Sequence, residues 1–138
     1  MTETQKIVQQ WFDHIAAGDA QAAFALFSDD IVYDLKGTTP VSGVYRGLDQ
    51  LVNEFFVPWR KQIDGDLVVK ADELIGEGER VVALASGSAK TIFGKDYDNE
   101  YVFVFTVKDG KITEVAEYLD TALVETAAYG RKVVEGDS

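Results

Sequence analysis

The stretch EYVFVFTVKDGKITEVAEYLDT, residues 100–121, decides how this chain folds. Two runs rich in β-branched and aromatic residues flank Asp109-Gly110, a dipeptide suited to a two-residue hairpin turn because both turn positions need a left-handed backbone. Counted outward from that turn, Lys108 lies opposite Lys111, Thr106 opposite Thr113, Val104 opposite Val115, and Val102 opposite Glu117. One face of the hairpin then carries Val102, Val104, Val115, Glu117 and Leu119. The other carries Tyr101, Phe103, Phe105, Ile112, Ala116 and Tyr118. Both faces are apolar over most of their length, so both are expected to be covered, one by helices and the other by a second subunit. Glu117 therefore stands out. In a poorly hydrated place its pKa rises and it becomes a proton donor or acceptor near neutral pH. The alternatives are a solvated rim position or a buried ion pair with Arg46, Arg60 or Lys90. Asp120, just past the strand and before TALVE, reads as a helix cap.

Upstream, Ile7, Val8, Trp11, Phe12 and Ile15 recur at helical spacing, which predicts an amphipathic helix over residues 4–17. Gly18 stops it and Asp19 caps a short second helix lined by Ala20, Ala23, Phe24 and Phe27. SDD closes that helix, and IVYDL is a strand with Ile31, Tyr33 and Leu35 on one face and Asp34 on the other. KGTTPVSG is a turn-rich loop. Leu48, Leu51, Val52, Phe55, Phe56 and Trp59 predict a third helix, kinked or ended near Pro58. DLVVKADELIG and RVVALASGSAKTIF are two long strands joined near EGE, and TALVETAAYG is a final helix. Helices first and long antiparallel strands later make an α+β pattern within one domain spanning residues 1–138.

Composition narrows the function. The chain has 138 residues, no cysteine, one histidine and a formal net charge of −11. Without cysteine there is neither a disulfide nor a thiol nucleophile, and one histidine leaves no cluster for zinc or iron, so no metal site and no cofactor are expected. The acidic balance argues against nucleic acid and against anionic membranes. No apolar run approaches the roughly 20 residues of a membrane span, and the first residues lack a secretory signal, so a cytoplasmic location is expected. GEGER is not followed by the Lys-Ser/Thr of a phosphate loop, and LASGSAK lacks the spacing of a nucleophile elbow.

AAGDAQAAFALFSDDIVYDLKG, PVSGVYRGLDQLVNEFF and YDNEYVFVFTVKDGKITEVAEYLDT, taken together and in this order, resemble the SnoaL-like polyketide cyclases and ketosteroid-isomerase-related proteins of the nuclear-transport-factor-2-like superfamily. The resemblance implies a cone: a curved mixed sheet wrapped around N-terminal helices, with one deep apolar pocket for a small apolar ligand. It also implies a homodimer through the outer sheet face. Carried over residue by residue, the general base falls on Asp34 in one register and on Leu35 in another. The tyrosine of the first helix falls on Trp11, and the oxyanion aspartate falls near Val102 or Phe103, neither of which donates a hydrogen bond. The acidic residue of the last strand falls on Glu117, under both the cyclase template and that of the limonene-type epoxide hydrolases. The partner charges of the hydrolases would lie in LASGSAK and are replaced by Ser86, Gly87 and Ser88.

These readings name Glu117, Asp34 and Tyr33 as candidate catalytic residues. Trp11, His14, Tyr45, Phe55, Trp59 and Val102 are candidate ligand contacts. The expected activity is a cofactor-independent acid–base enzyme of isomerase, cyclase or lyase type acting on a small carbonyl compound. A non-catalytic binding domain of the same fold and an epoxide-hydrolase-like enzyme are the alternatives.

Overall fold

Local signals place the helices where periodicity puts them. In the computed structural model, which describes residues 1–136, helix α1 spans Glu3–Ala16. It begins on a reciprocal cap: Thr2 Oγ1 accepts from Gln5 N at 3.1 Å and Gln5 Oε1 accepts from Thr2 N at 3.2 Å, which satisfies two otherwise orphaned donors. Its buried stripe is Val8, Trp11 and Phe12. Asp19 caps α2, Ala20–Phe24, through Ala22 N.

Helix α3, residues 48–60, is wound unevenly. Leu48–Gln50 and Val57–Arg60 are α-helical, and Leu51–Phe56 between them is π-helical. Val57 N bonds Val52 O, five residues back. Pro58 has no N–H to give to a carbonyl four residues back, and the wider turn just before it lets the helix continue to Arg60. Helix α4, residues 121–128, starts on Asp120, whose side chain accepts from Leu123 N at 3.2 Å.

Six strands form one mixed sheet in the order β2-β1-β6-β5-β4-β3. They are β1 (Phe27–Leu35), β2 (Gly43–Arg46), β3 (Ile63–Ile75), β4 (Arg80–Thr91), β5 (Glu100–Lys108) and β6 (Lys111–Leu119). β1 and β6 run parallel and the other neighbours antiparallel. Register shifts in four places, within β1–β6, twice within β3–β4 and within β5–β6, bend the sheet around the helices, because each extra residue kinks its strand and increases its twist. The architecture is α+β, with a curved mixed sheet wrapped around the N-terminal helices. Two boundaries differ from the sequence expectation. SDD belongs to β1, since Phe27 already pairs with Ile112, and VYR forms the short strand β2, which pairs with β1.

The central hairpin turns as expected but pairs differently. Asp109 and Gly110 have φ of 51° and 76°, the left-handed pair that a type I′ turn requires. Lys108 faces Lys111 and Val107 faces Ile112, but Thr106 then faces Glu114, with Thr113 bulged between. From there every pairing is one residue off the simple count: Phe105 faces Val115, Val104 faces Ala116, and Phe103 faces Glu117. One extra residue exchanges the faces of everything beyond it. Glu117 therefore joins Tyr101, Phe103, Phe105 and Val115 on the inner face, and Val102 and Tyr118 look outward, 38% and 47% exposed.

The inner face packs on α1. Trp11 lies 6.1 Å from Phe103 and 5.7 Å from Phe105 between ring centroids, and Phe12 meets Phe103 edge-on at 5.5 Å. Aromatic pairs at these distances add specific geometry to their burial. The inner face of β4 carries the small side chains of Ala83, Ala85, Gly87 and Ala89, which leaves room for the aromatics of β5.

Candidate functional site

Residues of α1, α3 and the inner face of the sheet enclose a cavity of about 530 Å³. Its wall is mostly apolar: Trp11, Phe24, Phe55, Phe56, Trp59 and Phe103 supply aromatic surface. Glu117 and the phenols of Tyr33 and Tyr101 reach it from the sheet. Arg60, Asp66, Val57 and Val68 sit at its exposed edge.

Glu117 is 6% exposed and Tyr33 1%. β1 and β6 are parallel neighbours, with Tyr33 aligned on Val115 and Leu35 on Glu117. The Tyr33 hydroxyl donates to Glu117 Oε1. No lysine or arginine forms an ion pair with Glu117 among the described residues. Of the three cations that could have neutralised it, Lys90 pairs with Asp96, and Arg60 donates to the backbone oxygens of Ile63 and Gly65 at 3.1 and 2.5 Å. Arg46 is exposed on the edge strand β2.

Burial pushes the Glu117 carboxyl from its ordinary 4.5 up to about 7, with the Tyr33 hydrogen bond working in the opposite direction. Tyr33 is raised well above its usual 10, first by burial and then by the adjacent Glu117 charge. A carboxyl poised near neutrality in a low-dielectric wall can take or give a proton with little bias either way. Tyr33, a phenol that stays protonated, holds one carboxyl oxygen, and the other has no hydrogen-bond partner among the described residues.

The other sequence-derived candidates divide. Trp11, Phe55 and Trp59 line the cavity with Glu117 and Tyr33. The Trp11 indole Nε1 is enclosed and meets no acceptor, so Trp11 contributes surface. Asp34 corrects the expectation of a second acid–base group: Tyr33 and Leu35 point inward, so Asp34 points out, between Val44 and Ala116, and pairs with Lys36 at 2.6 Å. Val102 corrects the expectation of a ligand contact: the Thr113 bulge carries Glu117 to the opposite face, and Val102 stays on the outer face opposite Tyr118. Tyr45 stacks on Phe55 at 5.4 Å and donates to Val41 O at 2.5 Å, one layer behind the cavity wall. His14 is half-buried on α1 and outside the wall.

Tyr101 and Phe103 were missed. A strand count from the turn puts them on the face away from Glu117, and nothing in the local pattern of KDGKITE marks Thr113 as the bulged residue. Among the described residues, no three His, Cys, Asp or Glu side chains gather as a metal-binding group, and no helix is long and apolar enough to cross a membrane.

A curved mixed sheet around N-terminal helices is the fold of the nuclear-transport-factor-2-like proteins that this chain resembles. Residues 8–115 match the SnoaL-like domain, and the chain belongs to that family. It is 26% identical over 121 residues to an uncharacterized protein of Mycobacterium tuberculosis, covering 87% of this chain and 92% of that one. An NTF2-like protein of unknown function from Burkholderia pseudomallei superposes with a TM-score of 0.84 at 19% identity, over 93% of this chain and 98% of that one. TerC, co-crystallized with polyporic acid, superposes with a TM-score of 0.82 at 18% identity, over 93% and 98%.

Proposed function

We propose that this protein is a cofactor-independent acid–base enzyme of isomerase or cyclase type, acting on a small, largely apolar carbonyl compound held in the cavity. One observation carries the reading. Glu117 is a buried carboxyl without a cationic partner among the described residues, hydrogen-bonded by Tyr33 and open to an aromatic-walled cavity of about 530 Å³. A carboxyl is costly to bury unpaired, and a purely structural position would be served by Leu or Met. In the proposed reaction Glu117 carries a proton between two atoms of the substrate. Tyr33 orients the carboxyl and tempers its basicity. Trp11, Phe55 and Trp59 hold the carbon skeleton. Membership of the SnoaL-like family supports the reaction class, and the polyporic acid complex of TerC supports a small organic occupant in this fold.

The epoxide-hydrolase-like alternative is disfavoured by the inner face of β4, where Ala83, Ala85 and Gly87 offer no second charge to work beside Glu117. The exposed Val102 and Tyr118 on the outer face suit a second copy of the chain, which belongs to the same proposal.

Exchange of protons α to a carbonyl tests the chemistry without knowledge of the natural substrate. A panel of aryl and alicyclic ketones, 2-acetylnaphthalene among them, is incubated in D2O and followed by NMR. Wild type is expected to accelerate exchange for the ketones that bind, and Glu117→Gln to lower the rate by about 10²-fold or more. Equal rates for the two proteins would refute the role of Glu117. Tight retention without exchange for every bound ketone would favour a non-catalytic binding domain.

A further inference from the structure

Burial divides the cavity into two ends. Glu117, Tyr33, Phe55, Trp59 and Phe103 are buried and form its inner end. Gly18 and its alanine neighbours in the α1–α2 turn, with Val57, Arg60, Asp66 and Val68, are exposed and form its mouth. The lining residues on the α1–α2 side are Ala16, Ala17, Gly18 and Ala20. A substituent leaving the cavity there meets no lining side chain longer than a methyl group.

Among the described residues that line the cavity, Arg60 alone is a cation. The start of β3 holds it in place. Asp64 pairs with Lys90 and Val68 with Ser88, so residues 65–67 stand against Ala89 alone. This bulge carries Asp66 and Leu67 into the lining, and Gly65 supplies the left-handed φ of 83° within it. Arg60 Nη1 donates to Ile63 O at 3.1 Å and Nη2 to Gly65 O at 2.5 Å. Those bonds fix the guanidinium at the lip before a ligand arrives, so less side-chain freedom is lost on binding. They use two of its five N–H donors and leave three. Backbone carbonyls do not neutralise the charge, and Asp66, on the same lip, forms no ion pair with it. A latch for the turn between α3 and β3 would need neither the remaining donors nor a place in the cavity wall.

We propose that the substrate is an amphipathic acid: its apolar body fills the cavity, and a carboxylate at the end remote from the reacting carbonyl binds Arg60 at the mouth. This rests on the acid–base reading above for the reacting end, and it narrows the substrate class at the other. The two ends of the cavity admit only one orientation of such a molecule. At the inner end a carboxylate would shed its water among aromatic rings beside Glu117, which is costly without a cation. At the mouth it keeps part of its hydration and gains charge-assisted hydrogen bonds from a guanidinium already in position. Arg60 thereby selects for the acid and directs the carbonyl end of the molecule toward Glu117. Asp66 sets a limit on that selectivity, because its charge on the same lip opposes a second anion.

The probes are 6-acetyl-2-naphthoic acid and (6-acetyl-2-naphthyl)acetic acid, each beside its methyl ester, with binding read by fluorescence at neutral pH. Acid and ester share the ketone and the rings and differ in charge. Wild type is expected to bind at least one acid about fivefold more tightly than its ester, the scale of a partly exposed charge pair. Salt at about 1 M should shrink that ratio. Arg60→Gln should abolish the preference while the esters bind as to wild type, Arg60→Lys should keep part of it, and Asp66→Asn should increase it. If Arg60→Gln unfolds, its ester binding is lost as well, and the ratios in Arg60→Lys and Asp66→Asn decide. Esters that bind wild type as tightly as both acids, or a preference that survives Arg60→Gln, would overturn the proposal. Failure of all four ligands to bind wild type would overturn it together with the cavity reading. An acid preference that follows Arg60 without α-proton exchange would uphold Arg60 and defeat only the role of Glu117. Exchange without an acid preference would do the reverse.

Discussion

Replacing Glu117 by Gln should change how the stability of this protein depends on pH, by an amount that the structure sets. The carboxyl titrates at about 7 in the folded protein and at its ordinary 4.5 when exposed. Between those two values the folded state holds a proton that the unfolded state has released. Folding stability from this group is therefore greatest below pH 4.5. It falls as pH rises through the window and levels off above about pH 8. At about 1.4 kcal/mol per pH unit, the full loss is about 3 kcal/mol. Gln cannot titrate, and its amide oxygen can still accept from Tyr33. The stability of Glu117→Gln minus that of wild type should thus increase by about 3 kcal/mol from pH 4 to pH 8. The subtraction cancels the titration of every other group. Urea melts at half-unit pH intervals measure it. With a denaturant slope of about 1.5 kcal/mol per molar, the gap between midpoints should move by roughly 2 M in favour of the variant. A difference that stays flat would mean that Glu117 is hydrated in solution, and the desolvation argument would be wrong. A change of opposite sign would mean that a cation reaches it.

Tyr33→Phe removes the hydrogen bond that holds the Glu117 pKa down, so the pH midpoint of ketone α-proton exchange should move upward. It should also cost about 1–3 kcal/mol at pH 8, with a smaller loss at pH 5, in the same urea melts. Tyr118→Glu places a charge on the exposed outer face beside Val102. If that face joins two copies, sedimentation velocity should show a dimer become a folded monomer, and wild type sedimenting as a monomer would refute it. Gly37 has φ of 106°, and a Cβ there would lie 2.6 Å from Thr121 Cγ2. Gly37→Ala should therefore lower stability by roughly 1–3 kcal/mol, and a thermal melt superimposable on wild type would contradict the positive φ and close Thr121 approach at Gly37.

Local chemistry was enough for much of the fold. The apolar stripe of α1, Asp19 and Asp120 as caps, and the Asp109-Gly110 turn all act between residues a few positions apart, and all are legible in the sequence. Glu117 was conspicuous for a similar reason: a carboxylate in an apolar strand is a local anomaly. The rest depends on partners distant in the chain. With Thr113 bulged, Ile112 and Val115 are both buried, and that packing has no trace in KITEV itself. That single extra residue put Glu117 on the face of Tyr101 and Phe103 and away from Val102. It also paired the acid with Tyr33, 84 positions away. Asp34 and Glu117 show the division most directly. As types and positions in the sequence, both are plausible acids. Strand pairing turned one outward, to an ion pair with Lys36 at the edge of the sheet. It turned the other into an apolar wall beside the Tyr33 phenol, where desolvation raises its pKa to about 7. Residue chemistry is carried by the sequence, but the dielectric around a residue is set by everything packed against it, and only the tertiary structure decides that.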